Sequence, residues 1–343
     1  MAFLPEPSHA PVHAARTAIV LCNLGTPDAP NASAVRRYLR EFLSDPRVVE
    51  IPPLLWKVIL NALILPLRPF KSAAKYRKIW TQEGSPLLHW ARRQAQSLED
   101  VLHQHGHDVV VHPAMRYGNP ALPEVLSGLR QRGIQRILLV PMYPQYSGTT
   151  TASVIDAACA WSQKVRHVPE WRMVNRFHDH PLYIEALAQS VQQHWQTHGR
   201  GERLVLSFHG IPKRCVDLGD PYASECRTTT RLLAQKLELP TEHVVMTFQS
   251  RFGRAEWLQP YTEPTVEQLA KDGIRNVDVL CPGFVTDCLE TLEEINMEVR
   301  ETFLRAGGQQ YHYIPCLNDR PEWITALAAI CEQHLQGWTG VQD

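Results

Sequence analysis

None of the eight cysteines in the 343-residue chain stands in a C-x-x-C spacing. They are Cys22, Cys159, Cys215, Cys226, Cys281, Cys288, Cys316 and Cys331. That scatter excludes a zinc knuckle and offers no disulfide framework, which places the chain in a reducing compartment. Cys22 and Cys281 lie inside apolar runs, where a free thiol behaves as a small hydrophobe. Net charge is missing as well: Lys+Arg and Asp+Glu number 35 each. No bulk attraction to nucleic acid or to an anionic membrane follows, so the ligand must be recognised by local chemistry. No strand-like run is followed by G-x-G-x-x-G, which argues against a dinucleotide-dependent oxidoreductase. Residues 1–17 lack the apolar core of a signal peptide. The most apolar stretch, Pro53–Leu67, is too short to span a bilayer and carries Lys57 and Asn61. The chain is therefore expected in the cytoplasm, with at most a peripheral membrane contact through residues 53–67.

What is present points to an α/β protein. Hydrophobic residues make up 44% and charged residues 20% of the chain, which suits a soluble protein with a real core, and the length suits two domains. Val-, Ile- and Leu-rich runs at Thr17–Asn23, Val109–Met115, Arg136–Met142, Arg203–Phe208, His243–Phe248, Val277–Cys281 and Gln310–Pro315 alternate with helical patterns. Such runs read as parallel strands buried on both faces. An internal duplication is visible in three ordered pairs. Val20–Pro27 matches Val205–Pro212, Arg116-Tyr117-Gly118 matches Arg251-Phe252-Gly253, and the run from Gly133 matches that from Gly273. We therefore expect two similar Rossmann-like lobes, each a parallel four-stranded sheet flanked by helices, with a cleft between them. The first spans 16–155 with an apolar insertion at 51–88, and the second spans 156–319. The helix at 320–335 is expected to pack back on the first lobe. Ligands of such sheets sit beyond the carboxyl ends of the strands.

Two side chains at those ends can carry chemistry. His209 closes the run Leu204–Phe208 and is followed at once by Gly210-Ile211-Pro212. Its counterpart in the first lobe is the plain apolar Leu24, so the symmetry is broken at this position. Glu290 lies in Asp287–Glu294, which reads as a helix start after Pro282-Gly283-Phe284. Asp287, Glu290, Glu294 and Glu298 follow i, i+3, i+7, i+11 spacing, a row of carboxylates on one helical face. A solvated acidic face has the same pattern. A histidine and a glutamate together offer a proton acceptor, a hard-oxygen metal contact, or both. Trp257, Tyr146 and Ser147 follow other strand ends. The insertion carries Leu54, Leu55, Trp56 and Ile59, then Arg68, Lys71, Lys75, Arg77 and Lys78. An apolar patch followed by cations suits a flat amphipathic acid, and equally a membrane surface. Paired histidines around Asp179 look like a metal motif, yet Asp179 or His180 there is better read as the cap of a helix starting at Pro181.

Taken together these segments resemble the ferrochelatase family, which inserts ferrous iron into a porphyrin. The resemblance runs from Cys22-Asn23-Leu24-Gly25-Thr26-Pro27 to Pro315-Cys316-Leu317-Asn318-Asp319. It is most specific at Leu206–Pro212 with Gly219-Asp220-Pro221-Tyr222, at Phe248-Gln249-Ser250-Arg251 through Trp257-Leu258, at Pro144-Gln145-Tyr146-Ser147, and at Phe284 through Leu292. It implies that His209 and Glu290 are the catalytic and metal-contacting pair, with Asp287, Glu294 and Glu298 as a metal or proton path. It implies porphyrin contacts from Leu24, Arg116, Tyr117, Tyr146, Ser147, Trp257 and Cys288. Many members have a second histidine where Cys288 stands. Some relatives acting on coproporphyrin have a tyrosine where Leu24 stands, so protoporphyrin IX is the expected substrate. Cys331 stands alone where other relatives bind an iron–sulfur cluster, so neither a cluster nor any other prosthetic group is expected; Fe2+ enters as substrate. A transient contact with the preceding oxidase of the haem pathway is also implied. Two pyrrole N–H protons must leave as iron enters. His209 is the expected acceptor, because imidazole titrates near neutral pH; the reverse assignment, with His209 on iron, stays open. So do a non-catalytic tetrapyrrole carrier and a chelatase for another tetrapyrrole or metal.

Overall fold

The computed structural model describes residues 3–5, 16–253 and 255–338. Most of the N-terminal stretch inspected for a targeting signal thus lies outside the described residues. The strands are β1 (Arg16–Thr26), β2 (Val109–Gly118), β3 (Ile134–Pro141), β4 (Glu170–Met173), β5 (Arg203–His209), β6 (Val244–Gln249), β7 (Asn276–Leu280) and β8 (Gln310–Tyr313). They form two four-stranded sheets ordered β2-β1-β3-β4 and β6-β5-β7-β8, and every pairing is parallel. The two orders are the same order repeated, as the duplicated sequence requires.

Burial explains the strand composition. Ala18, Ile19, Val20, Leu21 and Cys22 along β1 are all 0% exposed. A strand covered by helices on both faces has no solvent side, so its apolar residues need not alternate. Each fully buried Val, Leu or Ile contributes roughly 1.5–3 kcal/mol relative to exposure. The central strand β5 repeats the pattern, with Val205, Leu206 and Phe208 at 0%. The sequence runs located seven of these strands but not β4, Glu-Trp-Arg-Met, which is short, partly exposed and at a sheet edge. An edge strand paired on one side carries too little apolar signal to stand out.

The structure divides into two compact units. One comprises the chain up to Met142, Gly148–Asn175, and the chain from Leu327 on. It extends to Asn175 because β4 pairs with β3. Within this unit the last turns are tied down by Arg136 Nη1 donating to Trp338 O (2.8 Å) and by Trp338 Nε1 donating to Glu170 (2.7 Å). The other comprises Tyr143–Ser147 and Arg176–Ala326. Its core gathers Val205, Val266, Val277, Val279, Ile295 and Phe303.

The insertion in the first unit differs from the sequence expectation in length. The helix that starts at Pro53 continues to Ile79, 27 residues, through a π-helical segment at Leu60–Ile64. By length and composition alone it is long and apolar enough to cross a membrane. Pro66 and Pro69 lie within it, and the apolar stretch Pro53–Leu67 covers only its first part. Its outer face leaves Leu54 (84%), Val58 (65%) and Leu67 (70%) in solvent.

Candidate active site

The glycines at the carboxyl ends of the two central strands are both forced by a close backbone approach. A Cβ on Gly25 would lie 1.8 Å from the carbonyl oxygen of Tyr117, and one on Gly210 would lie 2.9 Å from that of Gln249. Only glycine lets the chain leave the strand so tightly. In the second unit that turn fixes His209, the last residue of β5. Its Nδ1 lies 2.6 Å from the Gly210 carbonyl oxygen. A carbonyl only accepts, so Nδ1 carries the hydrogen and the neutral ring keeps a lone pair on Nε2. The ring is half-buried, with Trp257 and Phe284 at centroid distances of 6.5 and 6.4 Å. Trp257 also packs on Gly210, and its segment is held by Leu258 N donating to Ile211 O (3.0 Å).

Glu290 starts a helix, but not the α-helix that its spacing predicts. Glu290–Val299 is π-helical. π-helical turns are rare and concentrate at functional sites. The wider winding changes which acidic residues share a face. Glu298 is exposed, whereas Glu293 is buried and Glu294 is half-buried. Asp287 belongs to a closed buried network. Its Oδ1 accepts from Thr291 Oγ1 (3.1 Å) and from the Tyr313 hydroxyl, and its Oδ2 accepts from Asn318 Nδ2 (2.7 Å). With its oxygens so occupied, Asp287 serves as an anchor for the helix start.

Gln249 and Ser250 join the histidine and the carboxylates, and neither was singled out from spacing. Buried Gln249, the last residue of β6, accepts from Ser207 Oγ (2.8 Å) and donates to the Glu290 carbonyl (2.9 Å). It thereby ties β5, β6 and the π-helix together directly opposite His209 in the β5–β6 register. Ser250 has φ +66°, a left-handed conformation that costs a non-glycine residue free energy. That geometry aims both its N–H (2.7 Å) and its hydroxyl at the Glu294 carboxylate. Burial nevertheless pushes the Glu294 carboxyl above the ordinary range. The Ser250 donors and the His209 charge pull it down, and the Glu290 charge pushes it up. His209, Glu290 and Glu294 therefore form one electrostatic group. Cys288 touches it too: burial holds its thiol well above the ordinary value, and the Glu290 carboxylate, with which it hydrogen-bonds, adds to the effect. The thiol thus stays protonated beside Glu290.

Other expected contacts lie elsewhere in the second unit. Tyr146 donates its backbone N–H to Glu225 (2.7 Å), which also pairs with Arg176 (2.6 Å), and Ser147 Oγ donates to Asp220 (3.0 Å). His178 Nδ1 lies 3.4 Å from Glu225, not in a set with Asp179 and His180 that fits a metal. His180 takes the N-cap position of the helix Pro181–His198 without a side-chain cap bond.

In the first unit Leu24 is half-buried on β1, and Arg116 and Tyr117 end β2 in a network centred on Asp45. Asp45 Oδ2 accepts from Arg116 Nη2 (2.5 Å), Tyr117 (2.8 Å) and Ser153 Oγ (2.6 Å). Tyr117 is 1% exposed, so its hydroxyl acts inside the lobe. Burial pushes the Asp45 carboxyl up, but donation from Ser153, Arg47 and Tyr117 and the Arg116 charge hold it below the usual range. Asp45→Ala should destabilise the chain by about 3 kcal/mol in urea unfolding at pH 7, since it leaves a partly buried guanidinium unpaired. Stability from a depressed carboxyl is present above its unfolded pKa, ordinarily about 3.9, and lost as pH falls through the folded value. The deficit should therefore shrink only below about pH 4.

A family model described as Ferrochelatase matches residues 16–335. The ferrochelatase of Dechloromonas aromatica is 59% identical over 340 residues, covering 98% of this chain and 93% of the relative. That of Methylibium petroleiphilum is 59% identical over 338 residues, with the same coverage. Among solved structures, SirB from Bacillus subtilis with Fe3+ matches with a TM-score of 0.52 and 15% identity, covering 93% of this chain and 95% of that one. At that identity the match shows a common chelatase fold and nothing finer.

Proposed function

The chain belongs to the ferrochelatase family, enzymes that insert Fe2+ into protoporphyrin IX to form protohaem, and we propose that His209 and Glu290 carry that reaction here. One observation bears most of the weight. His209 Nδ1 is committed to a carbonyl, so Nε2 is the nitrogen left to accept a proton, and one carboxylate of the π-helix, Glu294, feels both His209 and Glu290.

The chemistry needs two things at once. Fe2+ must shed water and approach nitrogen lone pairs that lie in the porphyrin plane, so a puckered macrocycle is the reactive one. Two pyrrole protons must leave. In our reading His209 Nε2 takes a proton from the pyrrole N–H. Glu290 holds iron on its way in, with its carboxylate steadied by the Cys288 thiol. Glu294, kept by burial at a raised affinity for protons, receives the proton that His209 releases, and exposed Glu298 passes it to water. Trp257 and Phe284 flank the imidazole with the apolar faces a tetrapyrrole edge requires. Anaerobic incubation with protoporphyrin IX and Fe2+ tests the activity. Haem bands should replace the free-base bands, whereas a carrier would bind porphyrin without that change.

We further propose that no iron–sulfur cluster is held. Cys331 has no closely spaced cysteine beside it to complete a ligand set; the nearest in sequence is Cys316. The exposed Leu54, Val58 and Leu67 support a peripheral contact of residues 53–67 with the cytoplasmic face of a membrane, where the preceding oxidase would hand over porphyrin. Co-sedimentation with anionic vesicles, lost in Leu54→Gln/Val58→Gln, checks it.

Glu294 also gives a pH prediction. A carboxyl whose folded pKa is raised contributes stability at low pH that is lost as pH rises through the folded value. Glu294→Gln should therefore match the wild type near pH 4 and exceed it in urea midpoint at pH 7.5, while inserting iron more slowly.

A further inference from the structure

The second unit contains another set of nitrogen donors, which does not include His209. His194 and His198 stand at i and i+4 on the last turns of the helix Pro181–His198. That spacing puts both on one helical face, as in helical zinc motifs. Their rings stack at 4.3 Å. His312 projects from β8 toward both, at 5.4 Å from His194 and 5.8 Å from His198. Asp278 lies beside His312, its register partner on β7. One donor atom from each of His194, Asp278 and His312 lies within 4.8 Å of the others.

The hydrogen bonds sort these groups into roles. Asp278 is 0% exposed. Its Oδ2 accepts from Trp195 Nε1 (2.6 Å) and from Gly201 N (2.8 Å), and its Oδ1 lies 3.0 Å from His312 Nδ1. A carboxylate so placed accepts the Nδ1 hydrogen and leaves a lone pair on His312 Nε2. This is the carboxylate–histidine arrangement that orients metal-binding imidazoles. His198 Nδ1 faces the His194 carbonyl at 3.3 Å, which leaves its Nε2 unprotonated as well. Among the described residues, His194 Nε2 is buried without a hydrogen-bond partner. A buried unpaired nitrogen carries a desolvation cost that the network does not explain.

We propose that His194, His198 and His312 form a second metal site, for a divalent first-row transition ion of the Zn2+ or Co2+ kind, with Asp278 orienting His312. Three imidazoles suit such an ion, whereas Mg2+ and Ca2+ prefer oxygen ligands. At a zinc–nitrogen distance of about 2.0–2.1 Å the ion draws the donors closer than they stand, and His198, stacked on His194, turns its ring to bring Nε2 onto the same ion. Three protein ligands leave a fourth position for water or an exogenous ligand. None of these residues takes part in the proposed iron insertion.

The test counts bound metal on the intact chain after chelator treatment. Equilibrium dialysis with Zn2+ should find one more ion per chain in the wild type than in His194→Gln or His312→Gln. His198→Gln replaces an exposed side chain and so spares the fold; it should weaken this binding at least tenfold and leave iron insertion unchanged. His209→Ala should keep the site, including a tetrahedral Co2+ absorption band that His198→Gln lacks. Binding in His194→Gln, His312→Gln and His198→Gln equal to the wild type would overturn the proposal. So would a Co2+ band that disappears in His209→Ala and persists in His198→Gln.

Discussion

His209→Ala should slow iron insertion by roughly 10²–10⁴-fold, the usual loss when a positioned general base is removed. The chain should still fold, because the imidazole is half-buried and its hydrogen bond goes only to the adjacent Gly210 carbonyl. Porphyrin binding, followed by fluorescence quenching, should change little, because the flanking rings of Trp257 and Phe284 remain. The variant also separates the two roles an imidazole can take. If His209 accepts protons, added imidazole should restore part of the rate, with a pH dependence that follows the added base. If His209 instead holds iron, the Fe2+ KM rises, and added imidazole does not restore the rate. An enzyme that keeps its normal rate would remove His209 from the mechanism.

The fold was legible in the sequence because parallel sheets write themselves as uninterrupted apolar runs, and because the chain does so twice. Val20–Pro27 and Val205–Pro212 ended up on the central strands of two sheets with the same order. The less legible parts share one physical cause: they depend on partners distant in sequence. β4 earns its place by pairing with β3. Asp45 is an ordinary acidic residue until β2 brings Arg116 and Tyr117 onto it. Gln249 looks like a strand-end polar residue until Ser207 and the Glu290 carbonyl close on it.

The acidic row shows the limit of periodicity most clearly. Its i, i+3, i+7, i+11 spacing assumed α-helical winding, and a π-helix has the same local polarity pattern at a different pitch. The four carboxylates that the spacing sets in one row are four different groups. Asp287 is a buried anchor, Glu290 faces Cys288, Glu294 is held by Ser250, and Glu298 meets solvent. A sequence holds the identities of these side chains, but only the winding assigns their tasks.

That division of tasks underlies the second large effect. Glu290→Gln keeps the shape of the side chain, the Gln249 bond to its backbone carbonyl, and an acceptor oxygen for the Cys288 thiol. It removes one negative charge at the point where Fe2+ is proposed to be held. The loss should therefore fall on turnover, by on the order of 10²-fold, with porphyrin KM within a few-fold of the wild type. Equal losses in kcat and porphyrin affinity would mean that Glu290 only props up the π-helix. Cys288→Ser supplies the internal control. A hydroxyl can donate to Glu290 as the thiol does, so its turnover should stay within about tenfold of the wild type, because a neutral hydrogen bond to a carboxylate carries far less than the charge itself. The ordering Glu290→Gln far below Cys288→Ser is what a metal-holding carboxylate requires. The reverse ordering would move the metal contact from the carboxylate to the sulfur beside it.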